Sequence, residues 1–280
     1  MPIEPLIVTV APTGGKHTKD SHSGIPLTPE EVADVAAKAE KAGASVIHVH
    51  VRDVHGGSTL NPARAEEFMA AVRDSSNLIF ELSTGGNLQH LQAERLQVLE
   101  IRPEVATISC GSVNLADGVF INTREFYGEL YREIRRLGIV PSFEIMDLGH
   151  ATAAARLLRG ELAQESPLFE IIAGTEGGMP SSTLALLACL QELPANSHVS
   201  VSGVGADPTE AWLFGLVSAS GIRVGMEDNL VSSGGPDNID LVSQVVGLAR
   251  SAGRRVATTT EARWLLGLQG PSNAEGPERE

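Results

Sequence analysis

An alternation of short apolar strand and amphipathic helix runs through this chain eight times without interruption, and few folds accept such a pattern. The strand segments are Leu6–Ala11, Ser45–Val51, Leu78–Leu82, Val105–Ile108, Ile139–Ile145, Leu168–Ile172, His198–Val201 and Ile222–Val224. Helices between them carry their own start and stop signals. Thr28-Pro29-Glu30-Glu31 predicts a capping box with proline in the first turn, and Gly43 ends that helix. Asn61-Pro62, Asn122 with Glu125, and Ser181 or Ser182 predict three further helix starts. Asn238–Ala252 reads as the eighth helix and Thr258–Leu266 as a short extra one. An unbroken series of this kind predicts an α/β protein, a single-domain (β/α)8 barrel over residues 1–268, with residues 269–280 a polar, flexible tail. An open doubly wound sheet is the alternative. Its dinucleotide fingerprint is missing, because Gly203-Val204-Gly205 lacks the third glycine.

Composition agrees with a barrel. Hydrophobic residues make up 42% of the chain and aromatic residues only 4%, so the core must be built from Val, Ile, Leu and Ala. A formal net charge of -14 with no basic patch argues against a nucleic-acid partner. No apolar run reaches the length of a membrane span, and no secretory leader opens the sequence. Cys110 and Cys189 stand in no metal or redox spacing. A cytoplasmic protein is expected.

Barrel enzymes place their chemistry at the C-terminal ends of the strands. Here those ends are polar. In Val46-Ile47-His48-Val49-His50-Val51-Arg52-Asp53, strand alternation sends His48 and His50 to one face, where two imidazoles can grip one divalent metal. Arg223, Glu227 and Asp228 follow the last strand and offer a third ligand and a base. The carboxylate ligand is Glu227, Asp228, Asp53 or Glu144, and Fe(II) or Mn(II) suits this ligand set as well as zinc. Asp228 beside Arg223 stays ionised and can accept a proton, although a plain salt bridge is the commoner fate of such a pair. The glycine-bearing loops Ser83–Asn87 and Ser109–Asn114 offer hydroxyl and backbone N–H groups to a carboxylate, or form simple turns. Glu144 is expected to orient a ligand or pair with Arg223. Lys16 is either an anion clamp or a solvated lysine. Cys110 reads as packing, since no neighbouring histidine activates it.

Taken together, these motifs resemble a known family. Ala11-Pro12-Thr13-Gly14, His48-Val49-His50-Val51-Arg52-Asp53, Ser83-Thr84-Gly85-Gly86, Cys110-Gly111-Ser112-Val113-Asn114, Phe143-Glu144-Ile145-Met146-Asp147-Leu148-Gly149-His150, Gly177-Gly178-Met179-Pro180 and Arg223-Val224-Gly225-Met226-Glu227-Asp228-Asn229 run in the order seen in the β-keto acid cleavage enzymes. The resemblance spans residues 5 to 266. It implies a zinc-dependent (β/α)8 homotetramer that turns a β-keto acid and acetyl-CoA into acetoacetate and a new acyl-CoA by a retro-Claisen route. It further implies one zinc per chain on His48, His50 and Glu227, with Asp228 as base and Arg223 as its partner. Ser83 and Glu144 would serve catalysis, and Thr107, Ser109, Thr84, Gly85 and Gly86 would line the substrate.

The sequence departs from the family at Lys16. A member that cleaves an amino-bearing substrate carries a glutamate there, so a neutral or anionic substrate tail is expected here, such as a β-keto diacid. For CoA phosphates the basic candidates are Arg52, Arg124 and Arg255. Two other readings remain in view. A metal-dependent hydrolase of amidohydrolase type would need no CoA, but such barrels usually carry His-x-His on the first strand. A non-catalytic barrel would not need so many polar strand ends.

Overall fold

The computed structural model describes residues 4–115, 117–159, 166–231 and 234–268; the tail expected over 269–280 lies outside them. Eight parallel strands close into a barrel: β1 (Ile7–Val10), β2 (Val46–Val49), β3 (Ile79–Leu82), β4 (Val105–Ser109), β7 (Val140–Ile145), β8 (Leu168–Ala173), β9 (His198–Gly203) and β10 (Gly221–Val224). β1 pairs with both β2 and β10, so the first strand closes the ring between the second and the last. The helices around it are α1 (Pro29–Ala42), α2 (Pro62–Ser75), α3 (Gln92–Gln97), α4 (Arg124–Arg136), α5 (Leu148–Leu157), α6 (Thr183–Glu192), α7 (Thr209–Ser218) and α8 (Asn238–Ser251), and α9 (Thr259–Leu265) follows. The fold is the expected (β/α)8 barrel.

Helix ends follow their sequence signals. The Thr28 hydroxyl accepts the Glu31 N–H, while Glu31 accepts the Thr28 N–H, and Gly43 closes α1 in the left-handed region at φ 115°. One cap differs from expectation. Thr123, not Asn122, caps α4; Asn122 is buried and its amide donates to the Gly111 carbonyl instead. One element was not anticipated, a two-stranded antiparallel hairpin of β5 (Val113–Leu115) and β6 (Gly118–Phe120) between β4 and α4.

Two apolar layers fill the space between the sheet and its helices, one on the α1, α2 and α8 side and one on the α4 to α7 side. Residues of the opposite parity face the lumen. At its N-terminal end these are Ile7, Val46, Ile79, Val105 and Leu168, packed as a dry plug with Ala257 and Ala262 at α9. One step further along the strands the inward residues become polar: Thr9, His48, Glu81, Thr107, Ser142, Glu170 and Arg223 are all buried. The plug therefore forms the floor of a polar chamber that opens at the C-terminal ends of the strands.

Candidate metal and keto acid site

The chamber joins residues far apart in the sequence. His48 and His50 rise from β2, with ring centroids 5.2 Å apart. Glu227 and Asp228 follow β10, past a turn at Gly225 that only glycine fits. Its φ is 151°, and a Cβ there would lie 2.1 Å from the Ala11 carbonyl oxygen. That turn brings Glu227 Oε1 to 3.7 Å from His48 Nε2 and 3.3 Å from His50 Nε2.

These three side chains fit a divalent cation. One ligand atom from each lies within 4.8 Å of the others. His48 Nε2 and Glu227 Oε2 are buried without a hydrogen-bond partner, a costly arrangement unless something coordinates them. His48 is also pre-oriented, because its Nδ1 lies 2.9 Å from Glu81 Oε1. A carboxylate behind a histidine fixes the ring and turns the other nitrogen toward a metal. Acidic groups crowd the same space, with Asp228, Glu170, Glu227 and Glu144 all acting on the buried Arg223 guanidinium. A second grouping, His48 with Glu81 and Glu170, also meets the distance criterion for a metal. Glu81 is engaged by His48 and Glu170 by Arg223, so this grouping reads as support for the first.

Arg223 is the hub. Its Nε donates to Asp228 Oδ2 at 2.8 Å and one terminal nitrogen to Glu170 Oε2 at 2.7 Å. The other terminal nitrogen reaches Glu227 Oε1 at 2.5 Å and Asp228 Oδ1 at 3.1 Å. Ser202 Oγ donates to Asp228 Oδ2 at 2.8 Å. Burial, with Glu227 beside it, raises the Asp228 carboxyl above its ordinary value despite the pull of Arg223. Burial would raise Glu227 too, but Arg223 and the two imidazoles outweigh it and hold that carboxyl well below the usual range. Burial pushes Glu170 up to about 8 against the pull of Arg223.

The other anticipated residues fall around this centre. Ser109 Oγ donates to Glu144 Oε2 at 2.6 Å, and both are buried. Ser83 is buried at the end of β3, where its Oγ accepts the Gly85 N–H at 3.4 Å. Thr84 and Thr107 are tied together: the Thr84 hydroxyl donates to the Thr107 carbonyl, and Thr107 Oγ1 accepts the Thr84 N–H. Gly86 packs against the β1 loop, where a Cβ on Gly15 would lie 2.3 Å from the Gly86 oxygen and 3.3 Å from His50 Nδ1. Gly85 lies under Phe120 of the hairpin. Lys16 stands outside the chamber, two-thirds exposed, in an ion pair with Asp117 at the hairpin tip.

Three expectations need correction. Glu144 does not pair with Arg223; Glu170 does, while Ser109 holds Glu144. Arg52 offers nothing to a CoA phosphate, since its buried guanidinium donates to the carbonyls of Gly14, His17 and Gly56. Arg255 pairs with Glu261 of α9, at the closed end of the barrel. Sequence reasoning missed Glu81 and Glu170, and assigned no role to Ser202. The first two could have been found, because each is an acid at an inward position of an otherwise apolar strand.

Comparison with known proteins agrees with this geometry. Residues 5–268 match the family model for "beta-keto acid cleavage enzyme". The chain belongs to that family. It is an enzyme of carbon–carbon cleavage and acyl transfer. A relative from Fusobacterium nucleatum subsp. nucleatum, named 3-keto-5-aminohexanoate cleavage enzyme, is 35% identical over 95% of this chain and 99% of its own. Another from Cupriavidus necator, named 3-oxoadipate:acetyl-CoA acetyltransferase, is 29% identical over 95% of each chain. Among solved structures, apo ObcA superposes with a TM-score of 0.74 at 20% identity, covering 87% of this family member and 65% of ObcA, a likeness of fold. Among the described residues no helix is long and apolar enough to cross a membrane.

Proposed function

We propose that this enzyme converts a β-keto acid and acetyl-CoA into acetoacetate and the corresponding acyl-CoA, with one zinc ion held by His48, His50 and Glu227. The observation that carries the reading is the unpartnered, fully buried His48 Nε2, which faces Glu227 beside the Arg223–Asp228 pair. A divalent cation bound there would polarise the keto oxygen and steady the acid. Ser83 and the backbone of Gly85 and Gly86 are placed to hold the substrate carboxylate.

Asp228 is the base. Its Oδ2 already accepts from Arg223 Nε and Ser202, so the less encumbered Oδ1 takes the C2 proton. The C2 electron pair attacks the acetyl carbonyl, and the thioester C–S bond breaks to release CoA thiolate. The thiolate adds to the original keto carbon. The bond between that carbon and C2 then breaks, and C2 recovers its proton from Asp228. Acetoacetate and the new acyl-CoA leave. The Ser109–Glu144 pair lines the chamber as a proton relay, and Thr84 and Thr107 keep the β3 and β4 loops in register. Of the basic residues considered for CoA, Arg124 remains, exposed at the start of α4 on the open side of the barrel.

The substrate tail is neutral or anionic, as in a β-keto diacid. Lys16 at the rim supports this, with its pairing to Asp117 open to exchange for a substrate carboxylate. The C. necator relative is named for such a diacid and the F. nucleatum relative for an amino-bearing acid, so the family admits both. Residues 1–268 form the catalytic unit, which assembles as a homotetramer in the cytoplasm. Leu184 and Leu187 on α6 and Leu213 and Val217 on the neighbouring α7 are exposed, apolar positions suited to a subunit contact. Both cysteines are free.

The test pairs metal analysis with acetoacetate assays on a panel of β-keto acids, with and without acetyl-CoA. Near-stoichiometric zinc, strict dependence on acetyl-CoA and preference for a diacid are expected. Turnover without CoA would point to a hydrolase. Failure to bind or respond to zinc would remove the metal site.

A further inference from the structure

We propose that Glu170 is a positioning residue for the proton-transfer step, acting through Arg223 to hold Asp228 in its working orientation. The role rests on the β-keto acid reading above. Glu170 projects inward from β8 and is fully buried, with its carboxylate against Arg223. Its oxygen meets the one end of the Arg223 guanidinium that Asp228 and Glu227 do not use.

That division of contacts matters because the other two partners change state during turnover. Glu227 is engaged as a ligand, and Asp228 loses its charge when it takes the C2 proton. Each change loosens its grip on the guanidinium. Glu170 is the partner that takes no part in either event, so it keeps Arg223 in place until Asp228 returns the proton. A buried acid–arginine pair is a poor investment in stability alone, since well-packed apolar residues of similar volume often serve as well. A pair buried under the base points to a role in placing it. Contact, more than charge, is what this role needs. Burial pushes the Glu170 carboxyl up to about 8, and a neutral oxygen at that position still accepts from the guanidinium.

Two substitutions in the full-length metal-loaded enzyme test this. Glu170→Met keeps the volume and removes the acceptor, while Glu170→Gln keeps a neutral acceptor. The assays are zinc content, KM and kcat for the β-keto acid, and exchange of its C2 hydrogens with deuterated water without acetyl-CoA. The expected result for Glu170→Met is full zinc content, unchanged KM, and a fall of about 100-fold in both kcat and C2 exchange, the size of effect that a misplaced catalytic group produces. Glu170→Gln should restore most of both rates. Wild-type exchange in Glu170→Met would overturn the proposal. So would zinc and activity lost in step, which would mark a structural role, or a glutamine variant as slow as the methionine one. No C2 exchange in the wild-type enzyme would instead overturn the β-keto acid reading, and this role with it.

Discussion

The floor and the roof of the barrel lumen are made by the same strands, two residues apart, and have opposite character. Val46, Ile79, Val105 and Leu168 form the floor, with α9 packed against it. Moving two residues along β2, β3 and β8 replaces them with His48, Glu81 and Glu170. Backbone geometry and register are continuous across that step. The floor gains stability from burying apolar area. The roof gives up that gain and accepts the cost of buried charge. A barrel can support such a roof because the floor beneath it, and the two apolar layers outside, stabilise the strands on their own.

If the two levels are separable, substitutions should sort cleanly between catalysis and stability. The largest effect is expected for Asp228→Asn at the roof. Steady-state assays should show kcat down by about 10²–10⁴-fold, the usual worth of a general base, with zinc content and melting temperature near wild type. A melting temperature that falls with kcat would break the separation. Ile79→Ala at the floor should do the reverse. Chemical denaturation should show a loss of about 2–5 kcal/mol, with kcat per folded molecule unchanged. Glu81→Gln sits at the join. Competition with a chelator should reveal zinc affinity about 10- to 100-fold weaker, because His48 loses its orienting carboxylate, and excess zinc should recover much of the activity. The smallest effect belongs to Lys16→Ala at the rim. It should cost less than about 1 kcal/mol of stability, as exposed pairs do, while KM rises for a β-keto diacid and stays level for a neutral-tailed acid. A rise in both would remove Lys16 from substrate selection.

Much of this was legible in the sequence because it depends on local periodicity. Eight apolar strands, the capping box at Thr28 and the short helix near Thr258 are near-neighbour patterns, and they stand as expected. The His48 and His50 pair was readable for the same reason, since alternation alone sets their common face. The β5–β6 hairpin was not, because strands of three residues with exposed positions carry no usable period. The pairing of Arg223 with Asp228 stands as expected, while the alternative pairing with Glu144 fails for a related reason. Glu144 and Glu170 both face inward on adjacent strands, directly paired in register, and only the closed ring decides which one the guanidinium reaches. Arg52 illustrates the remaining gap. A basic residue after a strand looks available to an anion until its burial and three carbonyl partners are seen.

The position of β1 between β2 and β10 has a consequence for biosynthesis. The histidines emerge from the ribosome well before Glu227 and Asp228, and β10, which leads to those acids, must dock onto β1, made before either. A nascent chain that has not yet reached β10 therefore displays His48 and His50 without Glu227, and has neither a closed ring nor the Arg223–Asp228 pair. Assembly of the proposed metal site and of the Arg223–Asp228 pair is therefore reached only when the first and last barrel strands meet. Metal bound to all three side chains would thus report that the ring has closed.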